Sequence, residues 1–260
     1  MVATLFGRKS TNVSWYSRVS SYQLTAQSRR SRHALVAIWV ALWGCLVVAQ
    51  TPARPTAAAE LKRVAVENEK RLNDCSAYPD QTTSSYVLPW KSNASHRIWR
   101  TSDHFRRGNG GVGLYAIDIE MPTGTEVVTS REGVVIAVRD NFYDGNGKEP
   151  QENYILIQHD DGTIARYLRL THRGVLVKVG HQVAQGQVIG LSGNTGETGG
   201  PHLHFDVQQC GPNLPPNDNA LPCGQTLPVT FRNTRPHACG LVPSQVYRAE
   251  KDPALQRRAP

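Results

Sequence analysis

Hydrophobic and polar residues alternate over short stretches between residues 75 and 247, and turn-forming residues separate these stretches. Gly133–Arg139 is rich in β-branched side chains, and Asn153–His159 alternates until it reaches the turn sequence at residues 160–162. Alternation with a period of two predicts strands, and the Asp-Asp-Gly turn predicts a hairpin that continues to Leu168. Further short strands are predicted at Thr125–Thr129, Val175–Val179, Gln187–Leu191 and Leu203–Gln208. No long segment with a helical period appears in this region, which favours a mainly β fold, a small antiparallel sheet or sandwich.

The beginning of the chain has a different pattern. No acidic residue precedes Glu60, arginines cluster at residues 29–32, and an uninterrupted apolar run extends from Ala34 to Ala49. A basic stretch followed by an apolar run is typical of an export signal. The run is shorter than the roughly 20 residues of a stable transmembrane helix. We therefore expect a signal peptide or membrane anchor at residues 34–50, with the following residues outside the cytoplasm. Whether the leader is cleaved stays open.

Composition divides the chain into five segments. They are a basic N-terminal region at 1–33, the signal peptide or membrane anchor at 34–50, a linker with a short helix at 51–74, the β-rich domain at 75–247 and a loose tail at 248–260. The formal net charge is +8, but much of it lies in the leader. The rest of the chain lacks the basic, aromatic-interleaved motifs of nucleic-acid modules, so no nucleic-acid partner is expected.

Four cysteines follow the apolar run, and export would place them in an oxidising compartment. They are Cys75, Cys210, Cys223 and Cys239, which allow three pairings. Cys210 and Cys223 flank a loop rich in Pro and Asn, so a local bridge is favoured there, with Cys75 bonded to Cys239. The absence of a C-x-x-C pair argues against a thiolate zinc site.

The residues with the clearest chemistry lie in the segment Gly-Pro-His-Leu-His-Phe-Asp at 200–206. Because alternate residues of a strand point to the same face, His202 and His204 should project together. Asp118 is an acid inside an otherwise apolar strand, and a buried carboxylate is costly unless it is hydrogen-bonded or bound to a cation. Backbone amides could satisfy it, but one zinc ion could satisfy the carboxylate and the imidazoles together.

The stretch from Tyr86 to Val207 resembles the M23 (lysostaphin/LytM-type) zinc metallopeptidases. The similar motifs, in order, are MPTGTEV, NYILIQHDDGTIARY, VKVGHQVAQGQVIGLSGNTG and GPHLHFDV. The resemblance implies a small antiparallel β-domain with a groove, and cleavage of the peptide stems or cross-bridges of bacterial peptidoglycan. It also implies that Asp118 and His204 hold Zn²⁺ while His202 assists catalysis.

The sequence departs from the family pattern at the third zinc ligand. The family has a histidine four residues before the aspartate, and this chain has Leu114 there. His104, in a Ser-Asp-His context upstream of Asp118, is the candidate replacement, because the glycine-rich stretch between them could fold it back.

A second departure lies in the family motif Tyr-x-His-Leu, which here reads Tyr-Leu-Arg-Leu at residues 167–170. Arg169 cannot act as a general base because its guanidinium stays protonated. It can still stabilise a developing oxyanion, and it is therefore a candidate catalytic residue. His172, three residues further on, is expected in an exposed turn.

Two functions remain in view. The first is an exported, zinc-dependent M23-type peptidase of the bacterial cell envelope that acts on peptidoglycan. The second is a catalytically degenerate module that binds cell wall or regulates another wall hydrolase, with that hydrolase or a component of the division machinery as its partner. The departures from the family pattern at Leu114 and Arg169 favour the second function. The first function remains consistent with the sequence if His104 replaces the missing zinc ligand.

Overall fold

The computed structural model describes residues 56–72, 74–101, 113–148, 150–209 and 226–253. Several sequence predictions concern residues outside these ranges: the signal or anchor at 34–50, His104, and the Cys210–Cys223 bridge. None of the helices among the described residues has the length and apolar composition needed to cross a membrane.

The described residues form one α-helix, two short 3₁₀ helices and ten strands. Helix α1 spans Ala57–Leu72, in the stretch where a short helix is predicted, and the 3₁₀ helices are Cys75–Ala77 and Gln81–Thr83. The strands are β1 Ser95–Arg100, β2 Ile117–Glu120, β3 Glu126–Val128, β4 Gly133–Arg139, β5 Asn153–Gln158, β6 Thr163–Val175, β7 Gln182–Val183, β8 Val188–Ser192, β9 His202–Gln209 and β10 Val246–Arg248.

The strands pair antiparallel in the order β10-β1-β2-β9-β6-β5-β4-β7, and β8 pairs with both β6 and β3. The predicted antiparallel β-domain is therefore confirmed. The predicted hairpin is also present: Gly162 has a φ of +81°, and the Asp161 carboxylate accepts a hydrogen bond from the Thr163 amide at 3.0 Å.

Two strand predictions are wrong in extent. Strand β6 continues past Leu168 to Val175, which places His172 in a strand rather than in a turn. The segment predicted as a strand at Val175–Val179 is mostly the connection to β7. Gly180, with a φ of +87°, ends this connection in a turn.

The alternation along the central strands separates two faces of the sheet. The main core includes Ile119 of β2, Phe205 of β9 and Tyr167 of β6, all fully buried. A smaller cluster, which includes Ile164 and Leu168, lies on the other face of β6. Residues of β2 and β9 that do not enter the main core are therefore directed to this second face, which carries the site described below.

A disulfide joins Cys75 to Cys239, as the sequence analysis favoured. The two cysteines are 164 positions apart in sequence, so the bond links the start of the domain to its C-terminal part. Tyr78, just after the first cysteine, packs edge-to-face on Tyr115 at 5.7 Å between ring centroids. The bond therefore holds the N-terminal segment close to the strand that carries Asp118.

Candidate metal and catalytic site

The pairing of β2 with β9 brings the predicted site residues together. Asp118 lies directly opposite His204 in the ladder, and His204 Nδ1 is 3.0 Å from Asp118 Oδ1. His202, two residues earlier on the same face of β9, places its Nε2 3.6 Å from the same oxygen. All three side chains are buried. The convergence follows from strand register, because opposite residues of an antiparallel pair have Cβ atoms about 5 Å apart.

Hydrogen bonds fix the tautomer of His202. Its Nδ1 lies 2.8 Å from the Gly200 carbonyl oxygen, which can only accept, so Nδ1 carries the proton. Nε2 of the neutral ring then keeps its lone pair, on the side of Asp118. Burial lowers the pKa of His202, although the Asp118 charge opposes this effect. The ring also packs edge-to-face on Trp99 at 5.3 Å. A neutral, oriented imidazole of this kind can accept a proton.

His204 is held from behind by a buried ion pair. Its Nε2 lies 2.9 Å from Asp206 Oδ2 and donates to it, which leaves Nδ1 facing Asp118. Asp206 in turn accepts two hydrogen bonds from Arg166, at 2.8 Å from Nε and 2.5 Å from Nη2. Such a carboxylate behind a histidine is the usual support for a metal-ligating imidazole.

The charges of this cluster shift the pKa values of its members. Burial opposes ionisation of His204, but hydrogen bonds to Asp118 and Asp206 outweigh burial and raise its pKa. Burial would likewise raise the pKa of Asp206, yet Arg166 and His204 lower it to about 2. Asp206 is therefore an anion at neutral pH.

Arg169 lies at an irregularity of the β5–β6 pairing. Asn153 pairs with Leu170 and Tyr154 pairs with Leu168, so Arg169 has no opposite residue. Its φ of +73° belongs to the left-handed region, which costs a non-glycine residue roughly 1 kcal/mol or more. The side chain is half-buried, and Nη1 donates to the Thr195 carbonyl at 3.3 Å. The charge of Arg169 reaches His202 and adds to the lowering of its pKa by burial.

Asp118 and His204 are of the residue types that bind zinc, but the described residues do not provide a third ligand for a zinc site. A carboxylate oxygen of Asp118 and Nδ1 of His204 converge, and a carboxylate and a deprotonated imidazole nitrogen are ordinary zinc donors. Leu114, at the family position of the third ligand, is fully buried and has no donor atom. Within the part of the chain that the structure describes, no group of three His, Cys, Asp or Glu side chains could hold a metal ion. His104 lies outside that part.

The supporting residues Arg166, Asp206 and Trp99 were not identified from the sequence. Asp206 could have been found, because it continues the alternation of His202 and His204 on one face of β9. Arg166 could not have been identified from the sequence, because an arginine in a strand ordinarily indicates a solvent-facing position.

The region that contains Asp118, His202 and His204 matches a known protein family. Residues 113–216 match the model of Peptidase family M23. This region of the chain is therefore of the M23 type, a family of zinc metallopeptidases.

Individual relatives match only part of the chain. The peptidoglycan DD-endopeptidase ShyA of Vibrio cholerae is 48% identical over 90 residues, which are 35% of this chain and 19% of ShyA. The cell division protein DipM of Caulobacter vibrioides is 34% identical over 92 residues, which are 35% of this chain and 14% of DipM. A crystal structure of a zinc-containing peptidase from Vibrio cholerae is 33% identical, covering 47% of this chain and 36% of that one, with a TM-score of 0.37. The matched regions thus span less than half the length of each of these proteins.

Proposed function

We propose that this chain is an exported peptidase of the bacterial cell envelope that hydrolyses peptide bonds in peptidoglycan. The observation that carries the proposal is the convergence of His204 Nδ1 and His202 Nε2 on Asp118 Oδ1, at 3.0 and 3.6 Å. The 48% identity to ShyA over 90 residues supports peptidoglycan as the substrate. The apolar segment at residues 34–50 would direct the domain out of the cytoplasm, as a signal peptide or a membrane anchor.

In this proposal Asp118, His204 and His104 hold zinc. The ion, when bound, polarises the scissile carbonyl and lowers the pKa of a water molecule. Asp206 keeps the His204 proton on Nε2 and so leaves Nδ1 as the ligating atom. This arrangement fixes the imidazole before any metal arrives.

His202 and Arg169 act on the substrate in this proposal. His202 takes up a proton at Nε2, because its other nitrogen already donates to the Gly200 carbonyl. Arg169 remains a cation throughout and stabilises negative charge that develops on the carbonyl oxygen. Loss of one such group typically slows a reaction by about 10²–10³-fold.

The first test is the zinc content of the purified full-length chain, measured by elemental mass spectrometry after dialysis. We expect close to one zinc per chain, lost in His204→Ala together with hydrolysis of purified peptidoglycan. Loss of zinc in His104→Ala would assign the third ligand. His181→Ala is the matched control, because His181 is exposed and belongs to a turn outside the site. Hydrolysis that survives in His204→Ala would refute the zinc mechanism.

The second candidate is a non-catalytic module that binds cell wall or regulates another wall hydrolase. The specific observation that favours it is the buried Leu114 at the family's ligand position. The similarity to DipM, a cell division protein, is compatible with a partner in the division machinery. A full-length chain that holds no zinc but sediments with purified peptidoglycan would support this function over the first.

A further inference from the structure

The turn that leads into strand β9 is closed by one hydroxyl group. Thr198 Oγ1 accepts a hydrogen bond from the Gly200 amide at 3.1 Å and donates its proton to the Gly200 carbonyl oxygen at 2.7 Å. Gly200 follows another glycine, Gly199, and consecutive glycines leave a backbone unusually free. The hydroxyl therefore fixes both backbone polar groups of a residue that would otherwise be poorly constrained.

The same hydroxyl adjoins the imidazole of His202. Thr198 Oγ1 lies 3.1 Å from His202 Nδ1. Because the hydroxyl proton goes to the Gly200 carbonyl, the Thr198 oxygen faces Nδ1 as an acceptor. The Gly200 carbonyl oxygen, 2.8 Å from Nδ1, is a second acceptor there. The proton on Nδ1 thus meets two oxygens, one belonging to Thr198 and the other held in place by it.

A competing acceptor faces the other side of the ring. Asp118 Oδ1 lies 3.6 Å from His202 Nε2, just beyond hydrogen-bond distance. A neutral imidazole carries one proton, so only one of its nitrogens can donate at a time. A small rotation of the ring would let Nε2 donate to the carboxylate, and Nε2 would then lack the lone pair that the proposed mechanism uses. The two oxygens at Nδ1 oppose this change.

An indole ring fixes the turn and the imidazole together. Trp99 of β1 packs edge-to-face on His202, with 5.3 Å between ring centroids. A Cβ atom added to Gly199 would lie 2.9 Å from Cη2 of the same indole, so the turn approaches Trp99 as closely as a glycine allows. Both partners of the Thr198 hydroxyl contacts therefore rest against one side chain, which limits rotation of the imidazole away from the turn.

We propose that Thr198 is a positioning residue that keeps the His202 proton on Nδ1 and so leaves the lone pair of Nε2 to accept a proton during the reaction. Thr198 acts through His202 and the Gly200 carbonyl. The proposal rests on the proposed function in that His202 acts on the substrate, but the position of the proton is a property of the resting chain. Thr198→Val keeps the shape of the side chain and removes its hydrogen bonds, whereas Thr198→Ser keeps the hydroxyl.

Nuclear magnetic resonance of the full-length chain with isotope-labelled histidine locates the proton without any need for activity. The spectra are recorded at about pH 8, where histidines are neutral, and His202→Gln assigns the signals. We expect the Nδ1–H form of His202 in wild type and in Thr198→Ser. In Thr198→Val the ratio of the Nδ1–H to the Nε2–H form should fall about tenfold, because two hydrogen bonds at Nδ1 depend on the hydroxyl.

Thr82→Val is the matched control in these spectra. The Thr82 hydroxyl also closes a local turn, by donating to Asp80 at 2.7 Å, but it belongs to the 3₁₀ helix Gln81–Thr83 and not to the site. It should leave the His202 signals unchanged. A His202 proton on Nε2 in wild type, or an unchanged Nδ1–H form in Thr198→Val, would overturn the proposal.

Kinetics on peptidoglycan fragments test the consequence for the reaction. We expect Thr198→Val to lower kcat about tenfold with KM and zinc content little changed, and Thr198→Ser to keep most of the activity. In a His202→Gln background Thr198→Val should cause no further loss, and an equal further loss there would refute action through His202. If the wild-type chain hydrolyses nothing, the proposed function fails, while the spectra still decide whether Thr198 positions the His202 proton.

Discussion

The buried ion pair between Arg166 and Asp206 makes a strong prediction about stability. The side chains are 3% and 0% exposed and share two hydrogen bonds. Asp206→Asn keeps the shape of the side chain but removes the negative charge that Asp206 places beside the guanidinium. Removing one partner of a buried pair costs about 3–5 kcal/mol, which for a domain of this size lowers Tm by roughly 6–20 °C.

Urea and thermal unfolding of wild type and Asp206→Asn measure this cost, and Glu126→Gln is the comparison. The Glu126–Lys91 pair has side chains that are 44% and 54% exposed, so breaking it should cost less than about 1 kcal/mol. Asp206→Asn should also weaken zinc binding about 10–100-fold, because a neutral amide oxygen accepts the His204 Nε2 proton more weakly than a carboxylate does. If Asp206→Asn were no more destabilising than Glu126→Gln, the view of this pair as a buried support of the site would be wrong.

The same prediction has a pH dependence. The pKa of Asp206 is held at about 2 in the folded chain, against about 3.9 in an unfolded one. Ionised Asp206 therefore contributes stability above about pH 4, and this contribution is lost as the pH falls toward the folded value. The stability difference between wild type and Asp206→Asn should shrink over that acidic interval, as followed by urea unfolding at each pH.

Three further changes should have measurable effects. Replacing Cys75 and Cys239 together by Ala should cost about 2–5 kcal/mol of unfolding free energy. A reducing agent should then destabilise wild type more than the double variant, in which only the predicted Cys210–Cys223 bridge could still be reduced, and equal sensitivity would contradict this. His237 Nε2 accepts a hydrogen bond from the Phe231 amide, and burial lowers the pKa of the ring. Its stabilising effect is therefore complete above about pH 6.5 and lost below, so His237→Gln should flatten the acid limb of a stability–pH curve. An unchanged slope would assign that limb to other groups. Phe205→Ala should cost about 3–5 kcal/mol in urea unfolding, and a cost below 1 kcal/mol would mean that the core around it is loosely packed.

Local sequence signals predicted the parts of the fold that depend on neighbouring residues. The β5–β6 hairpin follows from alternation and from the Asp-Asp-Gly turn, and the structure has both. The extent of β6 was missed because Arg169 and Gly174 interrupt the pattern, while the strand continues by pairing with β8. The pairing of β6 with β8 joins strands that are distant in sequence, and the local pattern of residues does not predict it.

In the candidate site, too, the features set by neighbouring residues were predictable and those set by tertiary contacts were not. His202 and His204 could be assigned to one face because the distance of two residues determines it. Their meeting with Asp118 depends on the register between β2 and β9, which the sequence predicted only through the family resemblance. The Cys75–Cys239 bond joins residues 164 positions apart and was one of three combinations.

Strand β9 carries the site and the core on alternating residues, so the two cannot be changed separately. A shift of one residue in its pairing would exchange the faces, turning Leu203 and Phe205 toward Asp118 and burying His202 and His204 among the aliphatic side chains. A one-residue insertion or deletion within β9 should therefore remove the site and the fold together. For this chain, chemistry can be altered by substitution along β9, but the spacing of the strand is fixed by the core beneath it.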